Sequence, residues 1–196
     1  MNSFLPDGYE RPATSGGNYA KLEDGQNRFR ILSNAIVGWL YWNSAGKPIR
    51  LREKPENLPE DIRYENGKPD KVKHFWAFTV WSYRENKIQI LEIAQASIQG
   101  PLEDLVMSPD WGDPKEYDIT ITKKGQKLDT EYSLQPSPMK PVPTEAHKAY
   151  RDARVNLDAL FDGNDPFATA AGSQGGDDEA QEIPAEDNPF GGAPRA

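Results

Sequence analysis

Cysteine is absent from this chain of 196 residues, and histidine occurs only twice, as His74 and His147. The absence of cysteine excludes disulfides, thiolate metal sites and a cysteine nucleophile. Two histidines without cysteine also argue against a structural zinc site. We therefore expect neither a metal nor a cofactor, and a cysteine-free chain fits a reducing cytoplasm.

Long apolar runs are missing as well. No stretch approaches the roughly 18 consecutive apolar residues of a membrane-spanning helix. The first residues lack the basic region and apolar stretch of a signal peptide. We therefore expect a cytoplasmic protein that does not associate with membranes. Hydrophobic residues make up 36% of the chain, a low share that predicts a segment outside the packed core.

The signatures of common enzyme sites are also absent from the sequence. It contains no phosphate-binding loop ending in Gly-Lys-Ser/Thr and no His-Glu-x-x-His. The carboxylates of Asp110, Asp113 and Asp118 are of the kind that a metal-dependent nuclease uses, but no spacing among them argues for a two-metal site. We expect a protein that is not an enzyme.

Charge is unevenly distributed along the chain. The net charge is −8, yet residues 161–196 hold eight acidic side chains and one basic, for −7. The other 160 residues hold 22 basic and 23 acidic side chains, for −1. The acidity therefore belongs to a tail, and the nearly neutral body can still present a basic stripe on one face.

Patterns typical of β-strands occupy the middle of the chain. Residues 1–18, rich in Gly, Pro and Ser, predict a flexible arm. In residues 27–42 an initial alternation places Phe29 and Ile31 on one face and Arg28 and Arg30 on the other. Gly38 interrupts this pattern and predicts a bulge. A short strand at 48–52 and a long polar loop at 53–70 follow.

The second half of the body predicts four more strands and one helix. Residues 72–83 and 87–94 predict two strands joined by a tight turn, and residues 95–107 have helical spacing with Pro101 near the helix start. Residues 117–123 and 128–135 predict a hairpin with Ile119, Ile121, Tyr132 and Leu134 facing inward. A proline-rich spacer precedes a second predicted helix at 144–161.

This element order predicts an all-β fold with one or two helices. Three strands, a helix and two strands form the order of the five-stranded oligonucleotide-binding (OB) barrel, with a long loop between strands 1 and 2. We expect that barrel at residues 19–138, a spacer and C-terminal helix at 139–162, and a disordered acidic tail at 163–196. An antiparallel β-sandwich is the alternative.

Aromatic residues interleaved with cations are the main functional pattern. In residues 72–83, Trp76, Phe78 and Val80 form the more apolar face and are assigned to the core. The opposite face would expose Phe75, Trp81 and Tyr83 beside Lys73, as a platform for stacking bases requires. The alternative is that these rings pack under the long loop or the C-terminal helix.

Basic side chains on the predicted strands and hairpin tips would bind phosphates. The alternative is a solvated surface that is balanced by acidic side chains. The complete set of predicted single-stranded DNA (ssDNA)-binding residues is Arg28, Arg30, Trp39, Trp42, Arg50, Arg52, Lys73, Phe75, Trp81, Tyr83, Arg84, Lys123 and Lys124.

In the tail, a disordered acidic segment with one apolar residue predicts a partner-binding site at Asp177, Asp178, Glu179, Asp187 and Phe190. A solubilising tail without a target is the alternative.

Several blocks of the sequence resemble phage single-stranded DNA-binding proteins. The blocks are residues 19–42 (YAKLEDGQNRFRILSNAIVGWLYW), 74–83 (HFWAFTVWSY), 89–99 (QILEIAQASIQ) and 111–125 (WGDPKEYDITITKKG). The resemblance covers roughly residues 19–138 and implies an OB barrel that coats ssDNA in phage replication, recombination or repair, in the host cytoplasm. It also implies an acidic tail that recruits replication proteins.

The tail departs from that family in one respect. Bacterial proteins of this class usually end in an acidic-Pro-Phe tip, whereas six residues follow Phe190 here, including Arg195.

Two other functions remain open. One is an adaptor that binds proteins through Asp-Pro-Phe at 165–167 and Asn-Pro-Phe at 188–190, without nucleic acid. The other is an RNA-binding or strand-annealing protein of similar fold.

Overall fold

A seven-stranded antiparallel sheet forms the body of the protein. The computed structural model describes residues 17–125 and 129–168. The strands are β1 (Gly25–Ile31), β2 (Ile36–Trp42), β3 (Pro48–Leu51), β6 (Lys73–Ser82), β7 (Lys87–Ile93), β8 (Asp118–Lys124) and β9 (Glu131–Pro136). A small separate hairpin is formed by β4 (Tyr64–Glu65) and β5 (Lys68–Pro69). The expected all-β fold is confirmed.

The strands pair in the order β3-β2-β6-β1-β8-β9, and β7 pairs with β6. Helix α1 (Ala96–Met107) lies between β7 and β8, where the sequence predicted it. This order agrees with the partly open barrel of the OB-fold. Within the described residues no pairing joins β7 to β9, so the sheet is not closed.

The first predicted strand is divided into two. Phe29 lies opposite Ser82 and Ile36 opposite Ala77, so the segment from Phe29 to Ile36 is two residues longer than the stretch of β6 that it faces. The extra residues form the break at 32–35, which is anchored because the backbone N–H of Thr79 donates to Oγ of Ser33 at 2.9 Å. The interruption is therefore not at Gly38, where the sequence predicted a bulge.

Gly38 has a different role within β2. A Cβ at this position would collide with the carbonyl oxygen of Leu51 and lie 2.8 Å from the ring of Phe161. Glycine therefore allows the C-terminal segment to approach the sheet closely.

One hydrophobic core lies on the inner face of the sheet. Ile119 and Ile121 are fully buried there, and Tyr132 and Leu134 pack against it from β9, as predicted. Phe78, Val80, Ile98 and other apolar residues complete this core. Pro101 lies inside α1 rather than near its start.

A second apolar layer covers the outer face of β6. It comes from α2 (Thr144–Ala153) and a 3₁₀ helix at Leu157–Asp162, which together replace the single predicted helix at 144–161. Arg154 separates them with a positive φ of 45°. The described chain continues through residue 168, and Phe167 packs with this layer. The C-terminal segment therefore belongs to the folded body.

Candidate nucleic-acid interface

Three aromatic rings lie side by side where β2 and β6 extend beyond the inner core. Trp39 pairs with His74 across the two strands, and Val37 pairs with Trp76. The Trp39 and His74 ring centroids are 5.2 Å apart, and those of His74 and Trp76 are 6.5 Å apart. His74 is exposed and both tryptophans are half-buried. We refer to Trp39, His74 and Trp76 as the aromatic strip.

The position of the aromatic strip follows from the length of β6. Side chains alternate along a strand, so His74 and Trp76 share a face with Phe78 and Val80. Phe78 and Val80 are buried in the inner core, whereas the earlier residues of the same face leave it. Val37, 53% exposed, adds apolar surface beside Trp76.

A cation lies over one end of the strip. Nζ of Lys54 is 5.1 Å from the Trp39 ring centroid. A lysine there supplies a positive charge for a phosphate next to a face on which a base can stack. Lys73 belongs to the opposite face of β6, where it pairs with Leu40.

The predicted outward position of Phe75 and Trp81 is wrong. Phe75 is 0% exposed and Trp81 is 5% exposed. Phe75 packs 6.1 Å from the Phe161 ring, and Trp81 packs with Ala146 of α2. The C-terminal segment covers this face, which was the alternative given above. Trp76, assigned to the core, instead lies at the edge of the core on the aromatic strip, and Trp42 is buried at 8% exposure.

Two of the predicted phosphate-binding arginines are also buried. Arg30 is 0% exposed, with its Nε donating to Asp118 Oδ1 at 2.6 Å. Arg50 is 7% exposed, with its Nε donating to Glu92 Oε2 at 2.7 Å. In this conformation their charges neutralise carboxylates within the fold.

The remaining predicted cations lie around the surface without forming one stripe. Arg52 is exposed, pairs with Asp158 at 3.0 Å and lies 4.3 Å from the Phe161 ring centroid. Arg84 is exposed in the turn between β6 and β7, and Lys124 is exposed at the end of β8. Lys123 donates to the carbonyl of Leu22 at 3.3 Å. A basic stripe of the predicted composition is therefore not assembled.

Arg28 and Tyr83 belong to a compact charged group around Asp118. Arg28 donates to Oδ2 of Asp118 through Nε and Nη2, and Nζ of Lys140 lies 2.8 Å from the same oxygen. Oδ1 accepts from Arg30 and from the Tyr83 hydroxyl at 3.0 Å. We refer to these five residues as the Asp118 cluster.

Two members of the Asp118 cluster, Asp118 and Tyr83, have pKa values that differ from their usual values. Burial alone raises the pKa of Asp118, but hydrogen bonds from Lys140, Arg30 and Arg28 outweigh burial and hold that pKa below its usual value of 3.8. Burial, together with the neighbouring Asp118 charge, raises the pKa of Tyr83 to about 12. At neutral pH the carboxylate is therefore charged and the phenol is neutral.

The ion pairing of Asp118 argues against the nuclease interpretation. This carboxylate is already saturated with cations, and Oδ1 of Asp113 accepts from the Lys115 backbone N–H at the start of a short 3₁₀ helix, Pro114–Glu116. Within residues 17–125 and 129–168, no three His, Asp or Glu side chains are grouped to hold a metal ion. Nor does that part of the chain contain a helix long and apolar enough to cross a membrane.

Sequence reasoning missed two residues of these two surfaces. His74 was placed on the inner face without a role, and Lys140 was taken as part of a spacer. Lys54, in the predicted loop, was already counted among the basic side chains expected to bind phosphates. The period-two pairing of His74 with Trp76 was a usable signal for the first. No local signal locates Lys140, since it reaches Asp118 from 22 positions further along the chain.

The tail residues Asp177, Asp178, Glu179, Asp187 and Phe190 lie outside the described residues. Of the two predicted peptide hooks, only Asp-Pro-Phe at 165–167 is described. Its Pro166 is buried, and the Pro166 carbonyl accepts from the Asn156 N–H at 2.9 Å. This hook is therefore part of the folded body.

Comparison with known proteins returns one informative relative. The chain is similar to the "probable ssDNA-binding protein" of Escherichia phage T5. The two are 27% identical over 149 residues, which cover 62% of this chain and 58% of the phage T5 protein. The chain thus spans less than two thirds of that relative's length. The resemblance to phage ssDNA-binding proteins is confirmed by this match. No family model matches the chain, and no solved structure matches it significantly.

Proposed function

We propose that the protein binds single-stranded DNA without sequence preference and that bases stack on the aromatic strip. The observation that carries the proposal is the row of Trp39, His74 and Trp76 rings, which lies at the margin of the inner core beside Lys54 and is partly exposed. Every base has a π-face, so such a row accepts any sequence. The relative in phage T5 supports the same ligand.

Replacing Trp39 tests this proposal. Base stacking contributes about 1–3 kcal/mol per base, so Trp39→Ala should weaken binding to an oligo-dT by about 5- to 150-fold. Fluorescence anisotropy of a labelled oligomer measures the affinity, and the unfolding midpoint checks that the variant is folded. Tyr64→Ala is the matched control, because Tyr64 is 63% exposed on the separate β4–β5 hairpin. Equal affinity of wild type and Trp39→Ala would contradict stacking on the strip.

The same assay separates the alternatives. Parallel titrations with DNA and RNA oligomers of one sequence distinguish an ssDNA-binding protein from an RNA-binding one. A protein adaptor would give no anisotropy change with either oligomer at micromolar concentration and low salt. Binding to ssDNA should weaken steeply as salt rises, because counterions are released when phosphates are neutralised.

We further propose that the protein coats ssDNA exposed in phage replication, recombination or repair, in the cytoplasm of the bacterial host. The acidic tail, with Asp177, Asp178, Glu179, Asp187 and Phe190, would contact replication proteins. The tail's concentration of negative charge supports this proposal. A chain truncated after Ala168 should still bind oligo-dT. In a pull-down treated with nuclease, however, it should no longer retain purified replication proteins that are encoded alongside it. Equal retention by both chains would contradict a role for the tail.

A further inference from the structure

The Asp118 cluster carries more positive charge than its buried carboxylate neutralises. Arg28, Arg30 and Lys140 surround one aspartate, which leaves a formal excess of two positive charges. The fifth member, Tyr83, is neutral, and its hydroxyl donates a hydrogen bond to the carboxylate. Asp118 and Arg30 are fully buried, so the excess is expressed at the surface by Arg28 and Lys140, whose side chains are 45% and 40% exposed.

A groove of about 470 Å³ opens beside these two cations. Arg28 and Lys140 line it together with the polar side chains of Gln26, Thr120 and Ser137 and the apolar Pro138 and Met139, and its lining includes no carboxylate. We refer to it as the Asp118 groove. Two cations beside hydroxyl and amide groups, with no carboxylate among them, form a surface suited to a phosphate.

Both groove cations retain donors for a ligand. Arg28 directs Nε and Nη2 to Asp118, and among the described contacts none engages its Nη1. Lys140 carries three N–H donors, and its recorded ion pair uses one oxygen of Asp118. The two cations also lie over the Tyr83 ring, with the Arg28 guanidinium carbon at 4.8 Å and the Lys140 Nζ at 5.6 Å from its centroid. The ring and the carboxylate together hold both cations in place before a ligand arrives.

The Asp118 groove is separate from the aromatic strip. Tyr83 continues the outer face of β6, whereas His74 and Trp76 belong to its inner face. At about 3.3 Å per residue, His74 and Tyr83 are roughly 30 Å apart along the strand direction. A short oligomer held on the strip therefore cannot reach the groove, and a longer strand has to pass around the sheet.

We propose that the Asp118 groove is a second nucleic-acid contact, which binds a backbone phosphodiester of a strand whose bases lie on the aromatic strip. This inference rests on the proposed function and adds a specific role for Arg28 and Lys140. Two linked contacts raise the affinity for long strands above that for short ones through effective concentration. The groove therefore sets how the affinity of this protein depends on strand length.

Lys140→Gln, titrated with oligo-dT of about 5 and about 30 nucleotides, tests the inference. Site sizes per OB-fold are about 4–16 nucleotides, so the short oligomer fills the strip alone and the long one reaches both contacts. Oligomers with 5′-hydroxyl ends ensure that only internal phosphodiesters are offered. For the long oligomer, the slope of log affinity against log salt should become shallower by about 0.7, the loss of one phosphate contact on a single strand. Affinity for the short oligomer should not change.

Two further variants make the result unambiguous. Lys148→Gln on the exposed side of α2 changes the net charge equally and should leave both titrations unchanged. Arg28→Gln should reproduce Lys140→Gln, and the unfolding midpoint identifies any loss of fold. An unchanged slope with the long oligomer in both groove variants would overturn the inference and leave the proposed function intact. An equal loss with both oligomers would also overturn it, because the groove would then belong to the primary site. If wild type binds neither oligomer, the proposed function itself fails.

Discussion

Asp118→Asn should lower the free energy of unfolding by about 3–5 kcal/mol at neutral pH, because removing one partner of a buried ion pair leaves an uncompensated charge. Arg30 is fully buried, and its Nε donates to Asp118 at 2.6 Å. Asparagine keeps the shape of the side chain but not its charge. The guanidinium of Arg30 would then remain buried among two other cations, Arg28 and Lys140, without a counter-charge.

The pH dependence of this loss has a defined sign. The pKa of Asp118 in the folded protein lies below its usual value of 3.8. A carboxyl with a lowered pKa stabilises the fold at pH values above its unfolded pKa, and this stabilisation is lost as the pH falls through the folded pKa. The difference between wild type and Asp118→Asn should therefore be constant near neutral pH and shrink below about pH 4.

Urea unfolding at several pH values measures this difference directly. Asp110→Asn is the matched control, since Asp110 is an exposed carboxylate of the neighbouring loop, and its change should stay within about 0.5 kcal/mol. A loss under about 1 kcal/mol for Asp118→Asn, or a difference that does not shrink in acid, would show that the Asp118 cluster is not a stabilising ion-pair centre.

Phe75→Ala should destabilise the protein by about 3–5 kcal/mol and leave the affinity of the folded protein for oligo-dT nearly unchanged. Phe75 is fully buried between the sheet and the 3₁₀ helix, 6.1 Å from the Phe161 ring. Removing its ring leaves a cavity next to Gly38, which has no side chain to fill it. Phe75→Leu, which keeps more volume, should lose less.

Chemical unfolding gives the stability change, and anisotropy under conditions where each variant is folded gives the affinity. Trp39→Ala provides the opposite pattern: a lost affinity with a smaller change in stability, because Trp39 is half-buried. If Phe75→Ala instead weakens DNA binding while its unfolding free energy equals that of wild type, Phe75 is a base-stacking residue, as the sequence first suggested.

The contrast between Phe75 and Trp76 shows how far sequence reasoning reached. Alternation in residues 72–83 correctly divided the side chains into two faces, and Phe78 and Val80 were correctly assigned to the core. Both faces of this strand are aromatic, however, so composition did not decide which one is covered. The cover comes from Leu157, Leu160 and Phe161, distant in the chain, whose docking no local pattern encodes.

The basic residues show the same limit. A period-two pattern placed Arg28 and Arg30 on the face opposite Phe29 and Ile31, and the structure agrees. Both arginines pair with Asp118, which is about 90 positions away in the chain. Arg30 is completely buried in this pairing, whereas Arg28 stays partly exposed. The positions of the strands, and which of their side chains share a face, are local properties that the sequence revealed. Ion pairing was a property of the assembled sheet.

Photo-crosslinking of oligo-dT to the wild-type protein, followed by mapping of the modified peptides, tests the central claim most directly. The account predicts crosslinks within β2 and the first half of β6, at Trp39, His74 or Trp76, because bases stacked on the aromatic strip lie in contact with these rings. Crosslinks confined to peptides that lack both strands would show that the strip is not where this protein holds DNA.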